Sequence, residues 1–422
     1  MQALNILIQM PILFSNVHFS RDVRLYLMAN ALFGFVLFGG IYPLLYNLYL
    51  LRLGYNTEFV GLANATGALC FALSSLPSGM LGGRWGSRFT MVVGICVSVA
   101  GFGLLSQAEL ISSGTRDYFI LISYSLGVIG IALFIVNGTP YLMGITSPVE
   151  RDPVFAVQAA LMPFSGFVGS MLGGVVPDYL AGVLDVSLAQ PVVYRYTLFI
   201  GVLCLIPAVF ALLATQDVQV ERKREEGDNS DVSNAPVLPL AAIVITALIS
   251  VLHVAGEAAA RTFFNVYMDE GLNISLSLIS VQLAAGQLLA VPAALSLPFF
   301  SARLGIRRTV VLVTIFTAIF LFFMALVSNW IVAGVCLMGI MAMASIRRSA
   351  FAIFHQELVP VRWRTAMSGA TAMMSGVGYS AMALGGGYMI PVAGYSSLFL
   401  TGAVLTGIGA FLFWICFQRG KN

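Results

Sequence analysis

The chain has 422 residues, of which 59% are hydrophobic and 9% charged, and its mean hydropathy is +0.93. Long uncharged stretches of this kind exclude a soluble globular domain and indicate a polytopic membrane protein. The net charge of +3 is close to neutral, so its sign says little about partners and the placement of the charges says more.

The opening MQALNILIQMPILFSNVHFS has neither a positively charged start nor a small-residue cleavage site, which argues against a secretory signal and for a surface segment over residues 1–24. Six apolar segments follow, at 25–51, 59–80, 90–106, 118–145, 154–180 and 196–214. The hydrophilic run TQDVQVERKREEGDNSDVSNAP, 215–236, reads as a solvated linker. Six more segments come after it, at 240–268, 276–298, 309–327, 330–354, 366–390 and 396–416. Each approaches or exceeds the roughly 20 residues that a spanning helix needs, whereas barrel strands would be shorter and would alternate in polarity. The expected domains are therefore an N-terminal bundle over 25–214, a C-terminal bundle over 237–418 and a tail over 419–422. The five cysteines, Cys70, Cys96, Cys204, Cys336 and Cys416, lie in or beside apolar segments, which suits packing rather than disulfides or a metal site.

With the linker cytoplasmic, that side carries fifteen Lys and Arg residues against three, Arg52, Arg116 and Arg195, on the other. This bias predicts that both termini are cytoplasmic, in a cell membrane. Three further arginines, Arg261, Arg347 and Arg348, fall inside predicted helices.

The two six-segment sets repeat one another. GMLGGRWGSR, 79–88, and PFFSARLGIRR, 298–308, each follow a second apolar segment, and a shift of 219 places Arg84, Gly86 and Arg88 on Arg303, Gly305 and Arg307. Asn47-Leu48-Tyr49 likewise matches Asn265-Val266-Tyr267, and Gly173-Gly174 matches Gly386-Gly387. Such a duplication predicts two similar bundles facing one another.

With these motifs the sequence resembles the major facilitator superfamily over essentially its whole length. Gly79, Arg84, Gly86 and Arg88 resemble its loop signature, and Arg303, Gly305 and Arg307 resemble a degenerate second copy. The resemblance implies an all-α fold of twelve transmembrane helices in two pseudo-symmetric six-helix bundles, with helices 1, 4, 7 and 10 around a central cavity. The sequence departs from the signature at its acidic position, which is Gly83 here and Ala302 in the second copy. In the family that acid helps to latch the cytoplasmic side, so the gate formed by these residues is expected to be weaker or built from other groups. GFVGSMLGG, 166–174, resembles the glycine-rich motif of family antiporters, with Ser170 at the usual proline position. Helix packing explains the same glycines, and the motif inclines the reading modestly toward export. VPVRWRTAMSG, 359–369, resembles a further cytoplasmic family pattern.

Ionisable groups at membrane depth are costly and mark candidate chemistry. In HVAGEAAAR, His253, Glu257 and Arg261 are spaced to share one helical face. Glu257 is the leading candidate for proton coupling and His253 the second, with mutual neutralisation of Glu257 and Arg261 as the plain alternative. Arg347 and Arg348 lie well inside the tenth segment, roughly 10 Å in depth from Glu257 at about 1.5 Å per residue. Adjacent residues point about 100° apart, so one of the pair faces the cavity. His355 reads as a surface residue. The membrane-depth groups of the first half are neutral amides, Asn30, Asn47, Asn64, Asn137 and Gln158, which orient a substrate but do not carry a proton. Candidate substrate-binding residues are Arg261, Arg347, Arg348, Asn30, Asn47 and Asn137, with Tyr42, Tyr46, Phe263 and Phe264 as an aromatic wall.

No metal cluster, phosphate loop or nucleophile motif supports an enzyme, and no cofactor is expected. The sequence reads as a secondary active transporter of a small organic solute, working by alternating access and coupled to protons. Efflux of a lipophilic, drug-like compound stands slightly ahead of transport of an organic anion. A channel, or a receptor or scaffold that has lost transport, is the alternative of another class. The expected partners are a small-molecule substrate, the lipid bilayer and protons, with no nucleic acid, and the expected state is a monomer.

Overall fold

The protein, seen in a computed structural model, is described over residues 19–147, 150–216, 240–359 and 364–418. Residues 1–18, 148–149, 217–239, 360–363 and 419–422, which include most of the expected linker and the tail, lie outside the described residues. The rest is helix joined by short turns, because a backbone in hydrocarbon must satisfy its own hydrogen bonds.

The helices in chain order are α1 (Arg21–Arg52, interrupted at 38–40), α2 (Thr57–Trp85), α3 (Ser87–Ser106), α4 (Ser113–Ile145), α5 (Arg151–Leu184) and α6 (Pro191–Leu213). The second half has α7 (Leu240–Val266, continued by a π turn Tyr267–Gly271), α8 (Leu276–Leu295, prolonged by a short helix Leu297–Leu304), α9 (Ile306–Leu326) and α10 (Trp330–Leu358). The last helical stretch, Arg364–Gln418, has 55 residues. At about 1.5 Å per residue it would run well over twice the roughly 30 Å hydrocarbon thickness. Gly394, at φ +79°, breaks it into α11 (364–393) and α12 (395–418). Counting that stretch once, eleven helices among the described residues are long and apolar enough to span a membrane. The chain is an all-α polytopic membrane protein.

Both copies of the basic motif build the same turn. Gly86 (φ +89°) and Gly305 (φ +77°) occupy backbone conformations that L side chains rarely adopt, and each ends one helix and starts the next. Arg88 donates through Nε to Leu212 O at 3.1 Å and through Nη2 to Leu213 O at 2.6 Å, while Arg307 donates through Nη1 to Phe417 O at 2.9 Å. Each arginine thus caps the last turn of the final helix in its own half, where carbonyls lack intrahelical partners and the helix dipole favours a cation. The sequence reading places Arg88 at a gate between the halves; in this conformation it bonds inside one. Arg303 lies over the Phe299 ring at 4.2 Å, and Gly83 and Arg84 are exposed.

The halves meet along α2–α11, α5–α8 and α1–α7. The duplicated glycine pairs lie on the first two seams: a Cβ on Gly174 would fall 2.0 Å from Ser280 Oγ of α8, and one on Gly387 2.7 Å from Thr57 O of α2. Gly166 and Gly169 of the glycine-rich run sit against Phe38 O and Phe35 O of α1, so these glycines serve close packing around the interruption of α1.

Candidate functional site

Because spans alternate in direction, the turns at Gly86 and Gly305 and the C-terminal ends of α4, α6 and α10 share one side, called the linker side because α6 ends there. A cavity of about 610 Å³ faces it between α2, α7, α10 and α11. Its apolar wall includes Ala68, Phe71, Val254, Phe351 and Ala352, and its charged wall is Glu257, Arg347 and Arg348.

Glu257 is held by three guanidiniums. Its Oε2 accepts from Arg347 Nη2 at 2.5 Å, and its Oε1 accepts from Arg348 Nη1 at 2.6 Å and from Arg261 Nε at 2.9 Å. Arginine stems close the depth offset expected from the sequence, and both members of the Arg347–Arg348 pair reach the same carboxylate. They differ in surroundings: the Arg347 side chain is 4% exposed and that of Arg348 45%, so Arg348 is the member open to the cavity.

Beyond this cluster, toward the far side, lies a smaller cavity of about 220 Å³. Tyr42, Tyr46, Asn47, Asn64, Arg261, Phe264 and Gln287 line it, and Tyr379 stands in the walls of both cavities. The Tyr379 hydroxyl accepts from Thr262 Oγ1 at 3.3 Å. Tyr42 donates its hydroxyl to Phe102 O at 2.6 Å, and Asn64 Nδ2 donates to Asn47 Oδ1 at 2.8 Å.

The far side is closed by bonds between the halves. Asn47 Nδ2 donates to Thr262 O, Asn265 Nδ2 donates to Pro43 O and Leu44 O, and Arg52 pairs with Asp269 at 2.7 Å.

Several sequence candidates lie elsewhere. His253 is fully buried between the rings of Phe351 and Phe413 and lines neither cavity. Asn137 donates to Ser78 O and Leu133 O, a link between α2 and α4. Gln158 donates to the Tyr26 hydroxyl. Asn30 and Phe263 are buried away from both cavities. His355, expected at the surface, is buried on the wall of the larger cavity, against Phe351 and 3.5 Å from Thr371 Oγ1. Gln287 and Tyr379 line the cavities without standing among the residues expected from the sequence. Gln287 is a mid-span amide of α8, the same signal that marks Asn47 and Asn64 in the first half.

The model of the Major Facilitator Superfamily matches residues 25–383, most of the chain and every residue on the walls of the two cavities. The chain belongs to the major facilitator superfamily. It is a secondary transporter of that superfamily and not an enzyme. Its fold is similar to that of the xylose transporter XylE from E. coli in an inward-open conformation, with TM-score 0.74 at 12% identity over 93% of this chain and 95% of that one. It is also similar to the nucleoside transporter NupG, with TM-score 0.69 at 15% identity over 94% of this chain and 98% of that one. A bacterial homolog of the human lysosomal transporter Spinster, inward-facing and occupied, gives TM-score 0.69 at 14% identity over 95% and 96% of the two chains. At these identities the likeness is one of fold. No curated protein sequence matches this superfamily member.

Proposed function

We propose that this transporter moves a small organic anion by alternating access, with the units 25–214 and 237–418 rocking about the cavities, the linker side cytoplasmic and protons as the coupling ion through Glu257. The observation that carries the anion reading is the charge of the cluster. Three guanidiniums share one carboxylate, which leaves two positive charges beside a cavity. Charge at membrane depth is costly without a counterion, and an anionic substrate supplies one. Arg348 presents an exposed guanidinium for this, suited to a carboxylate.

The sequence leans toward a lipophilic substrate, and the wall of Phe71, Val254 and Phe351 accommodates that feature as the apolar body of the same anion. The glycine run that inclines the sequence toward export packs against α1, so the proposal leaves the direction of net flux to the gradients.

The test is thermal stabilisation of the purified protein by octanoate, octanamide and octylammonium. Octanoate alone should raise the melting temperature, and Arg348→Ala should remove most of the effect. Equal stabilisation by octanamide would show that shape and apolar contact, not charge, select the substrate.

A further inference from the structure

The smaller cavity contains hydrogen-bond donors that the fold leaves unused. Tyr46, from α1, and Gln287, from α8, are 4% and 2% exposed, and neither Tyr46 Oη nor Gln287 Nε2 has a partner. Their neighbours are satisfied: Asn47, Asn64 and Asn265 bond one another or the backbone. Most buried polar atoms in native proteins are paired, so two orphan donors on residues that line one cavity call for an acceptor.

The interruption of α1 adds to this polarity. Residues 38–40 leave the helix, and the half-helix Ile41–Arg52 starts again at the cavity wall, which includes Phe38, Gly39, Tyr42 and Pro43. The first N–H groups of such a half-helix have no intrahelical acceptor, and its N-terminus favours an anion. Gly39 is at φ +79°, and a Cβ there would lie 1.5 Å from Gln287 Nε2, so the interruption makes the room that the Gln287 amide occupies. Irregular backbone at membrane depth is tolerated where it is buried in protein or lines a cavity. Arg261 completes the set: its Nε bonds Glu257, and its side chain also forms part of this cavity wall.

We propose that the smaller cavity is the subsite for the anionic group of the substrate, held by Arg261, the Tyr46 hydroxyl, the Gln287 amide and the N-terminus of Ile41–Arg52. The assignment rests on the anion reading above and deepens it. Tyr46 and Gln287 come from opposite halves, so the subsite is complete only while the halves stay together around it. Tyr379 stands in both cavity walls, and Glu257 links Arg261 to Arg348, so the two cavities adjoin at Tyr379 and this ion cluster. The substrate class that fits both is an amphipathic anion, with a compact carboxylate, sulfonate or phosphate head in the smaller cavity and an apolar body in the larger one.

The experiment measures octanoate affinity and ligand-free melting temperature for the full chain and for Tyr46→Phe and Gln287→Leu. Each variant removes a donor that bonds nothing in the ligand-free protein, so the ligand-free melting temperature should stay level or rise. Octanoate affinity should fall about tenfold in each, as expected for one lost hydrogen bond to a charged group. Unchanged octanoate affinity in both variants would overturn the subsite and make the cavity a water pocket, while leaving the anion reading intact. A clear drop in ligand-free melting temperature in both would likewise assign these groups to the fold. If octanoate, octanesulfonate and octyl phosphate all fail to stabilise the unaltered protein, the anion reading itself fails, and the subsite with it.

Discussion

Asn47 and Asn265 donate across the seam between the halves, each to the carbonyl three residues before the other: Asn47 Nδ2 to Thr262 O at 2.6 Å and Asn265 Nδ2 to Leu44 O at 2.9 Å. The two residues occupy matching positions in the repeated Asn-Leu-Tyr and Asn-Val-Tyr triplets. A local duplication has therefore produced a reciprocal contact, and the contact closes the far side of the cavity.

The first prediction follows from that symmetry. Asn47→Ala and Asn265→Ala each remove one half of the contact, a loss of about 1 kcal/mol per hydrogen bond. Asn265→Ala, which loses bonds to both Pro43 O and Leu44 O, should open the far side at least as far as Asn47→Ala, and the double variant further. Spin labels at Leu53 and Leu272, at the outer ends of α1 and α7, measure this as a longer-distance population. An unchanged distance distribution in the double variant would show that Arg52–Asp269 and the α2–α11 seam hold the far side without these amides.

A second prediction concerns the stability of the charge cluster. Glu257→Gln leaves three guanidiniums without their shared carboxylate, and breaking a buried ion pair by removing one partner costs about 3–5 kcal/mol. Arg347→Ala should also be severe because its side chain is 4% exposed, whereas Arg348→Ala, at 45% exposure, should be mild. Adding Arg347→Gln to Glu257→Gln removes one charge of each sign and should recover part of the loss. Melting temperatures of the four variants give the ranking, and an equal loss for Arg347→Ala and Arg348→Ala would contradict the difference in burial.

These contacts show what the sequence could and could not reveal. The spans were legible because apolar length alone specifies them, and Gly86 and Gly305 because a motif recurs in register. Arg88 was legible as a motif member, but its acceptors lie 124 and 125 positions away at the end of α6, and no local pattern names them. Glu257, Arg261, Arg347 and Arg348 stood out by charge at membrane depth. Their convergence on one carboxylate depended on the packing of α7 against α10 and on arginine reach. Gln287 and the interruption of α1 carried weaker signals, one amide and the run Phe38-Gly39-Gly40, which gain meaning only when α1 and α8 face the same space.

The third prediction tests the paired motif. Arg88→Ala and Arg307→Ala each uncap the last helix of one half, at a cost of about 1 kcal/mol at these partly exposed sites. Gly86→Ala and Gly305→Ala force a side chain into positive φ, at a cost of order 1–2 kcal/mol. Corresponding variants in the two halves should lower the melting temperature by similar amounts. A change in far-side accessibility with no loss of stability would instead make these arginines gate residues.

The last prediction concerns coupling. Glu257 is the one carboxylate on the described walls of the two cavities, and testing it by Glu257→Gln alone would confound transport with the stability loss argued above. The pair Glu257→Gln with Arg347→Gln keeps the cluster at the same net charge and leaves Arg348 and Arg261 to meet an anion. In proteoliposomes this double variant should lose accumulation driven by a proton gradient but retain counterflow of octanoate, because exchange needs a binding site and alternating access without a titrating group. Accumulation at the normal rate would remove Glu257 from coupling. Loss of counterflow together with accumulation, in a variant that still binds octanoate, would place the carboxylate in the rocking movement, as the group that holds α7 and α10 together while the cavity changes sides.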